Sequence, residues 1–218
     1  MSAVDGLGPP APHRNKYARV ERERRFLLAE VPPHEGAIAV RRIVDRYLNG
    51  TRLRVRQVTQ HGSPRPEYKL TQKVPSGGSG PAKGLITNTY LSRAEHDLLA
   101  TLPAAVLTKT RHSIPPLGVD VFDPPLHGLV LAEAEFGTDS EAHSFAPPEH
   151  AIADVTDDPR FNGGRLARAS RSELLCWLGE YGITPAANVP QPSGHRPTLP
   201  PGADPWPAPE AGRRSPAR

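Results

Sequence analysis

The chain of 218 residues carries one cysteine, Cys176, and only 6% aromatic residues. It also has no long apolar run. A lone thiol excludes an internal disulfide framework and fits a reducing, cytoplasmic setting. No stretch approaches the roughly 20 apolar residues of a membrane-spanning helix. The first residues, 1–12, lack the basic start and apolar run of a signal peptide. No aromatic stacking platform alternates with the basic residues, which ranks nucleic acid last among anionic partners. Histidines show no pair at metal-ligand spacing on a common face, so His34, His61 and His96 read as surface residues, and His112 as outward-facing.

What is present is proline and positive charge. Ten of the 27 prolines follow Thr184. Residues 184–218 therefore read as a disordered, proline-rich basic tail that could engage a protein partner. Residues 1–16 read as a flexible N-terminal segment, leaving one folded domain over 17–183. The net charge of +4 and a pI near 9.5 point to an anionic partner, phosphate above all.

Between residues 17 and 167 the dominant pattern is period two, broken by Gly, Pro and Asn clusters. Strands are expected over 19–28, 41–48, 51–58, 67–74, 84–91, 106–114, 118–122 and 129–136. Asn49-Gly50 and Pro115-Pro116 mark hairpins, and the glycine-rich loop 74–83 reads as a flexible insertion. Ser92 with Glu95 and Ser170 with Glu173 are capping boxes ahead of leucine-rich helices, with Gly182 stopping the second. A shorter helix is expected over 140–145. The fold class is mainly β (α+β): a closed eight-stranded antiparallel barrel with a few covering helices on its outside.

Alternation along each strand sorts the charges onto one face. Glu21, Glu23 and Arg25 align, as do Arg52, Arg54 and Arg56; Lys69, Thr71 and Lys73; Lys109 and Arg111; and Glu133 and Glu135. Asp120 adds a carboxylate on a short strand. On any one strand this describes a solvated outer face. Across six strands the near-exclusive use of Arg and Lys on some and paired Glu on others points to a charged, wet lumen that receives an anion. The glutamates repel phosphate unless a cation stands between them, and an all-oxygen donor set favours Mg²⁺ or Mn²⁺.

These residues resemble the CYTH superfamily of triphosphate tunnel metalloenzymes, whose N-terminal signature is Glu-x-Glu-x-Lys. Here it reads Glu21-Arg22-Glu23-Arg24-Arg25. Further similarity lies in Leu53-Arg54-Val55-Arg56, in Tyr68 to Lys73, in Lys109-Thr110-Arg111, in Asp120-Val121-Phe122, in residues 129–136, and in Asp154-Val155-Thr156-Asp157-Asp158-Pro159-Arg160-Phe161. The resemblance implies an eight-stranded tunnel that acts on inorganic triphosphate, as small bacterial members do. It implies Glu21, Glu23, Arg25, Glu133 and Glu135 as catalytic residues, with the four glutamates on the metal side. Arg54, Arg56, Lys73, Lys109 and Arg111 are implied as phosphate ligands; Arg52, Lys69 and Asp120 join the expected substrate-binding set from the alternation of the strands. Asp154 is expected to order the C-terminal segment across the tunnel mouth.

Two departures stand out. Arg25 replaces the signature lysine, and a guanidinium cannot exchange a proton near neutral pH. The strand 86–91 carries Thr87 and Thr89 where many members carry charge, so one wall is expected to be less polar. A non-catalytic polyphosphate- or nucleotide-binding module is the alternative function, and an adenylate cyclase the third, although no base-recognition pocket shows in the sequence. Asn162-Gly163-Gly164 reads as a turn, since no Gly-Lys-Ser follows it. The sequence leaves a homodimer open.

Overall fold

The computed structural model describes residues 17–32, 37–63, 65–75, 80 and 82–185. The expectations for the N-terminal segment, for His34, for most of the glycine-rich loop and for the basic tail fall outside these residues. Among the described residues, no helix is long and apolar enough to cross a membrane.

Nine strands form one sheet: β1 (Arg19–Leu28), β2 (Ala39–Leu48), β3 (Leu53–Gln60), β4 (Glu67–Pro75), β5 (Ala82–Leu91), β6 (Ala104–Ile114), β7 (Leu117–Phe122), β8 (Val130–Glu135) and β9 (Ala151–Asp154). Their order is β5-β4-β3-β2-β6-β7-β8-β1-β9, every pair is antiparallel, and β5 also pairs with β1. Eight strands thus close the barrel, as the alternation predicts. Closure satisfies backbone groups that an open edge would leave to solvent. β1 does this with three partners. Its first part pairs with β5 as far as Arg22, where the register shifts. Glu23 to Leu27 pair with β8, and Phe26 to Leu28 also pair with β9. β9 was not anticipated, because four residues are too few to show a period.

The helices are α1 (Arg93–Leu99), α2 (Asp139–Ser144), α3 (Gly163–Leu166) and α4 (Arg171–Glu180). Both predicted capping boxes form, and α2 has a third, from Thr138 and Glu141. The expected leucine face of α1 is not its packed face. Leu98 is 71% exposed, while His96 is buried and stacks on Tyr68 with ring centroids 4.4 Å apart. The surface reading of His96 is thereby corrected: a flat imidazole fits against Tyr68 where a leucine would not stack.

α4 is also placed differently from expectation. Its Leu174, Trp177 and Leu178 form one cluster with Leu27, Leu107, Phe122 and Leu131, which lie on the inward faces of their strands. The helix packs its apolar side chains against these inward-facing residues instead of covering the outer face of the barrel. The outward face of β1, β7 and β8 is covered by a second cluster around Phe26, Val119 and Val130, where Phe145 after α2 packs on Phe26.

Candidate active site

The apolar half of the barrel stops at Leu27 and its partner Leu131; one step further along the same faces stand Arg25 and its partner Glu133. From there the interior opens as a cavity of about 770 Å³. Every predicted site residue except Asp120 lines it. Glu21, Glu23 and Arg25 from β1 and Glu133 and Glu135 from β8 form one wall. Arg54 and Arg56 from β3, Lys69 and Lys73 from β4, and Lys109 and Arg111 from β6 form the rest, with Arg52 just ahead of β3. Eleven lysines and arginines face four glutamates there, so the cavity is suited to a multiply charged anion.

Asp120 is a correction. It is completely buried, and it accepts from Lys109 Nζ, from Arg111 Nε at 2.7 Å and from Arg111 Nη2 at 2.6 Å. A carboxylate sealed behind two cations holds them in place, and Asp120 does not itself line the cavity. Asp45 on β2 does the same on the other side. It too is completely buried and takes Arg56 Nε at 2.6 Å and Nη2 at 2.7 Å, with Arg54 Nε at 3.5 Å. Burial alone would raise the Asp45 carboxyl, but Arg56 and Arg54 outweigh it and hold it at about 2. Sequence reasoning missed Asp45. The signal was its place on the inward face of a strand whose neighbour carries Arg54 and Arg56.

The glutamates divide by environment. Burial would raise Glu133, but Arg111, Lys109, Arg25 and Lys73 hold it well below the usual carboxylate range. Glu23 goes the other way: burial raises it, and the charges of Glu133 and Glu21 add to that, against Arg25 and Lys73. Oxygen donors that repel one another in one cavity are chemically suited to a hard divalent cation. As placed, however, three of the four pair with a basic side chain: Glu21 with Lys73 at 2.7 Å, Glu23 with Arg25 at 3.1 Å, and Glu133 with Arg111. Among the described residues, no three acidic, histidine or cysteine side chains are gathered as a metal cluster.

The raised Glu23 pKa has a consequence for stability. The native state holds this proton more tightly than the unfolded chain does. The contribution is therefore favourable below the ordinary value of 4.5 and is lost as pH rises through the native value. Glu23→Gln, which mimics the protonated form, is expected to raise Tm at neutral pH and to leave it nearly unchanged at about pH 4. A fall in Tm at neutral pH would mean that the Arg25 pair outweighs desolvation.

The C-terminal segment completes the rim. Asn162 caps α3 through the Arg165 amide, and Asn162, Gly163, Gly164 and Arg168 all line the cavity. This turn is thus part of the site, with no phosphate-loop sequence needed. Gly163 is required by crowding: a Cβ there would stand 1.9 Å from Tyr47 Oη. Gly163→Ala is expected to cost about 1–3 kcal/mol, with part recovered in the double variant with Tyr47→Phe; thermal melts of the three proteins check this. Asp154 bonds Arg24 at 2.5 Å and the Thr156 amide at 2.9 Å, and Thr156 Oγ1 accepts from the Arg25 amide at 3.0 Å. It orders the C-terminal segment against the outer face of β1, not across the mouth.

The neutral wall is real but differently composed. Lys69, Thr71 and Lys73 pair with Tyr90, Asn88 and Ile86, so these three share the inward face of β5. Thr87 and Thr89 alternate with them and face outward. Ile86 and Asn88 line the cavity, and Lys69 Nζ sits 5.1 Å from the Tyr90 ring centroid.

No protein-family model and no curated protein matches the chain. Among solved structures it is similar to the inorganic triphosphatase NE1496, at 26% identity over 69% of this chain and 96% of that one, with a TM-score of 0.46. A second structure of NE1496, described as a hypothetical protein, gives 27% identity over 69% and 99%, also at 0.46. The PH1819 protein of Pyrococcus horikoshii gives 15% identity over 76% and 92%, at 0.42. With TM-scores below 0.5, the architecture is established by the chain's own strand pairing. That pairing is a closed antiparallel barrel with the Glu21-x-Glu23 strand, the basic strands and the Glu133-x-Glu135 strand all facing inward, and in this the chain resembles the triphosphate tunnel proteins of the CYTH superfamily.

Proposed function

We propose that the cavity binds a linear triphosphate, inorganic triphosphate first among candidates, and cleaves one phosphoanhydride bond with the help of Mg²⁺ or Mn²⁺. The observation that carries this reading is the divided wall: carboxylates on β1 and β8 facing cations on β3, β4 and β6 across one enclosed space. Arg54, Arg56, Lys73, Lys109 and Arg111 would hold phosphate oxygens and stabilise charge developing on the leaving group. Asp45 and Asp120 keep four of these cations oriented before substrate arrives, which lowers the reorganisation needed on binding. Glu21, Glu23, Glu133 and Glu135 would hold the metal, which when bound polarises the phosphoryl group and lowers the pKa of water. Arg25, whose guanidinium cannot take a proton from an attacking water, instead donates to Phe161 O at 2.9 Å.

A second reading, a binding module without turnover, is favoured by one observation: Glu21, Glu23 and Glu133 already bond basic side chains and leave no assembled metal cluster among the described residues. Phosphate release from inorganic triphosphate separates the two, run in Mg²⁺, in Mn²⁺ and in chelator, beside ATP and thiamine triphosphate. Metal-dependent release that disappears in Glu21→Gln supports hydrolysis. Thermal stabilisation by triphosphate without release supports the module. Pyrophosphate formed from ATP alone would indicate a cyclase.

A further inference from the structure

The cations of the cavity are not equally neutralised. Arg25, Arg56, Lys73, Lys109 and Arg111 each bond a carboxylate. Arg19, Arg52, Lys69 and Arg168 also line the cavity, yet among the described residues none has a carboxylate within 4.0 Å; of these, Lys69 lies against the Tyr90 ring, and Arg52 and Arg168 stand on either side of one hydrogen-bonded turn. Arg168 is held by neutral oxygens instead: Nη1 donates to Gly164 O at 2.8 Å and Nη2 to Asn49 Oδ1 at 3.3 Å. Asn49 opens the turn that leads through Arg52 into β3, so this bond ties the end of α3 to that turn. Both guanidinium groups therefore belong to one rim, and they keep full charge with N–H donors to spare. The glycines between them leave the wall without side chains, and Tyr47 requires the first to stay bare.

We propose that Arg52 and Arg168 form an outer anion subsite that takes the end phosphate of a linear phosphate chain longer than triphosphate. The inference rests on the reading that the central cations hold three phosphates. Its physical basis is the contrast in neutralisation: the centre shares its positive charge with Asp45, Asp120 and the glutamates, while no carboxylate of the described residues lies within 4.0 Å of Arg52 or Arg168. The volume of about 770 Å³ falls within the range that encloses drug-sized ligands, which leaves room beyond three phosphates.

The test is calorimetric titration of the full-length chain with inorganic triphosphate and with linear inorganic tetraphosphate, in chelator so that no turnover intrudes. The unaltered protein is expected to bind tetraphosphate about tenfold more tightly, the equivalent of one charge-assisted contact. Arg168→Ala should bring the ratio close to one, and Arg168→Lys should restore part of it. Arg168 is exposed, so its loss leaves no buried group unpaired; Arg52→Ala provides an independent second variant. Equal affinities in the unaltered protein, or a ratio unmoved by both alanine variants, would overturn the subsite. The hydrolytic reading fails separately, through absence of metal-dependent phosphate release. Binding of neither anion would remove both.

Discussion

Asp120→Ala is expected to destabilise the protein by about 3–5 kcal/mol, the range found when one member of a buried ion pair is removed. At roughly 2–4 °C per kcal/mol for a domain of this size, Tm should fall by about 6–20 °C. The reason is what remains behind. Lys109 is itself buried, and without Asp120 it keeps the Phe122 ring at 5.5 Å and the more distant charges of Glu133 and Asp45; Arg111 keeps Glu133. The lost carboxylate also leaves the lumen more positive, so triphosphate should raise the Tm of the variant by more than it raises that of the unaltered protein. Thermal melts with and without inorganic triphosphate, in chelator, read both effects. A loss under about 1 kcal/mol would mean that water enters and solvates Lys109, and that Asp120 is not sealed as the structure has it.

How far the sequence disclosed this arrangement depended on whether period two was unambiguous. In β1 it was carried by the paired glutamates: Arg22 and Arg24 put charge on the other face too, but Glu21-x-Glu23-x-Arg25 leads into the apolar run from Phe26, and the strand runs over the expected residues. In β2 it was not. Arg41, Arg42, Asp45 and Arg46 place charge on both faces, so an inward Asp45 looks like one more solvated residue until its bonds to Arg54 and Arg56 are seen. β5 failed for a related reason. Ile86-Thr87-Asn88-Thr89-Tyr90 is similarly polar on either face, and only pairing with Lys69 and Lys73 fixes which face is inside. Helical amphipathicity has a different blind spot: it says that Leu174, Trp177 and Leu178 must be buried, but not whether against the inward-facing residues of the strands or against the outer wall.

The same logic explains how so much charge is tolerated. A lumen of eleven cations would strongly oppose folding if each had to be dehydrated alone. The fold distributes the charge in short bonded groups: Asp45 with Arg54 and Arg56, Asp120 with Lys109 and Arg111, Glu21 with Lys73. Two of these anions lie behind the cavity wall and two kinds of glutamate lie on it. The buried aspartates act as permanent counter-ions. On the proposed reading, the lining glutamates would exchange their basic partners for a metal when substrate brings enough negative charge to occupy those cations.

Glu133→Gln follows from that distinction and should have the largest effect on turnover. Its carboxylate pairs with Arg111 and lies in the field of Lys109, Arg25 and Lys73, which hold it ionised far below neutral pH. The amide is nearly isosteric, so the barrel should persist; the loss is of one negative charge and one metal-side donor. Metal-dependent phosphate release is expected to fall by about 10²–10³-fold, the scale of removing one preorganised electrostatic contact. Triphosphate affinity measured in chelator should stay the same or increase, because Arg111 is released to the anion. This split separates a chemical role from a structural one: a damaged fold would weaken both. Retained turnover would instead mean that the metal-side assignment of β8 is wrong, and that Glu21 and Glu23 on β1 suffice.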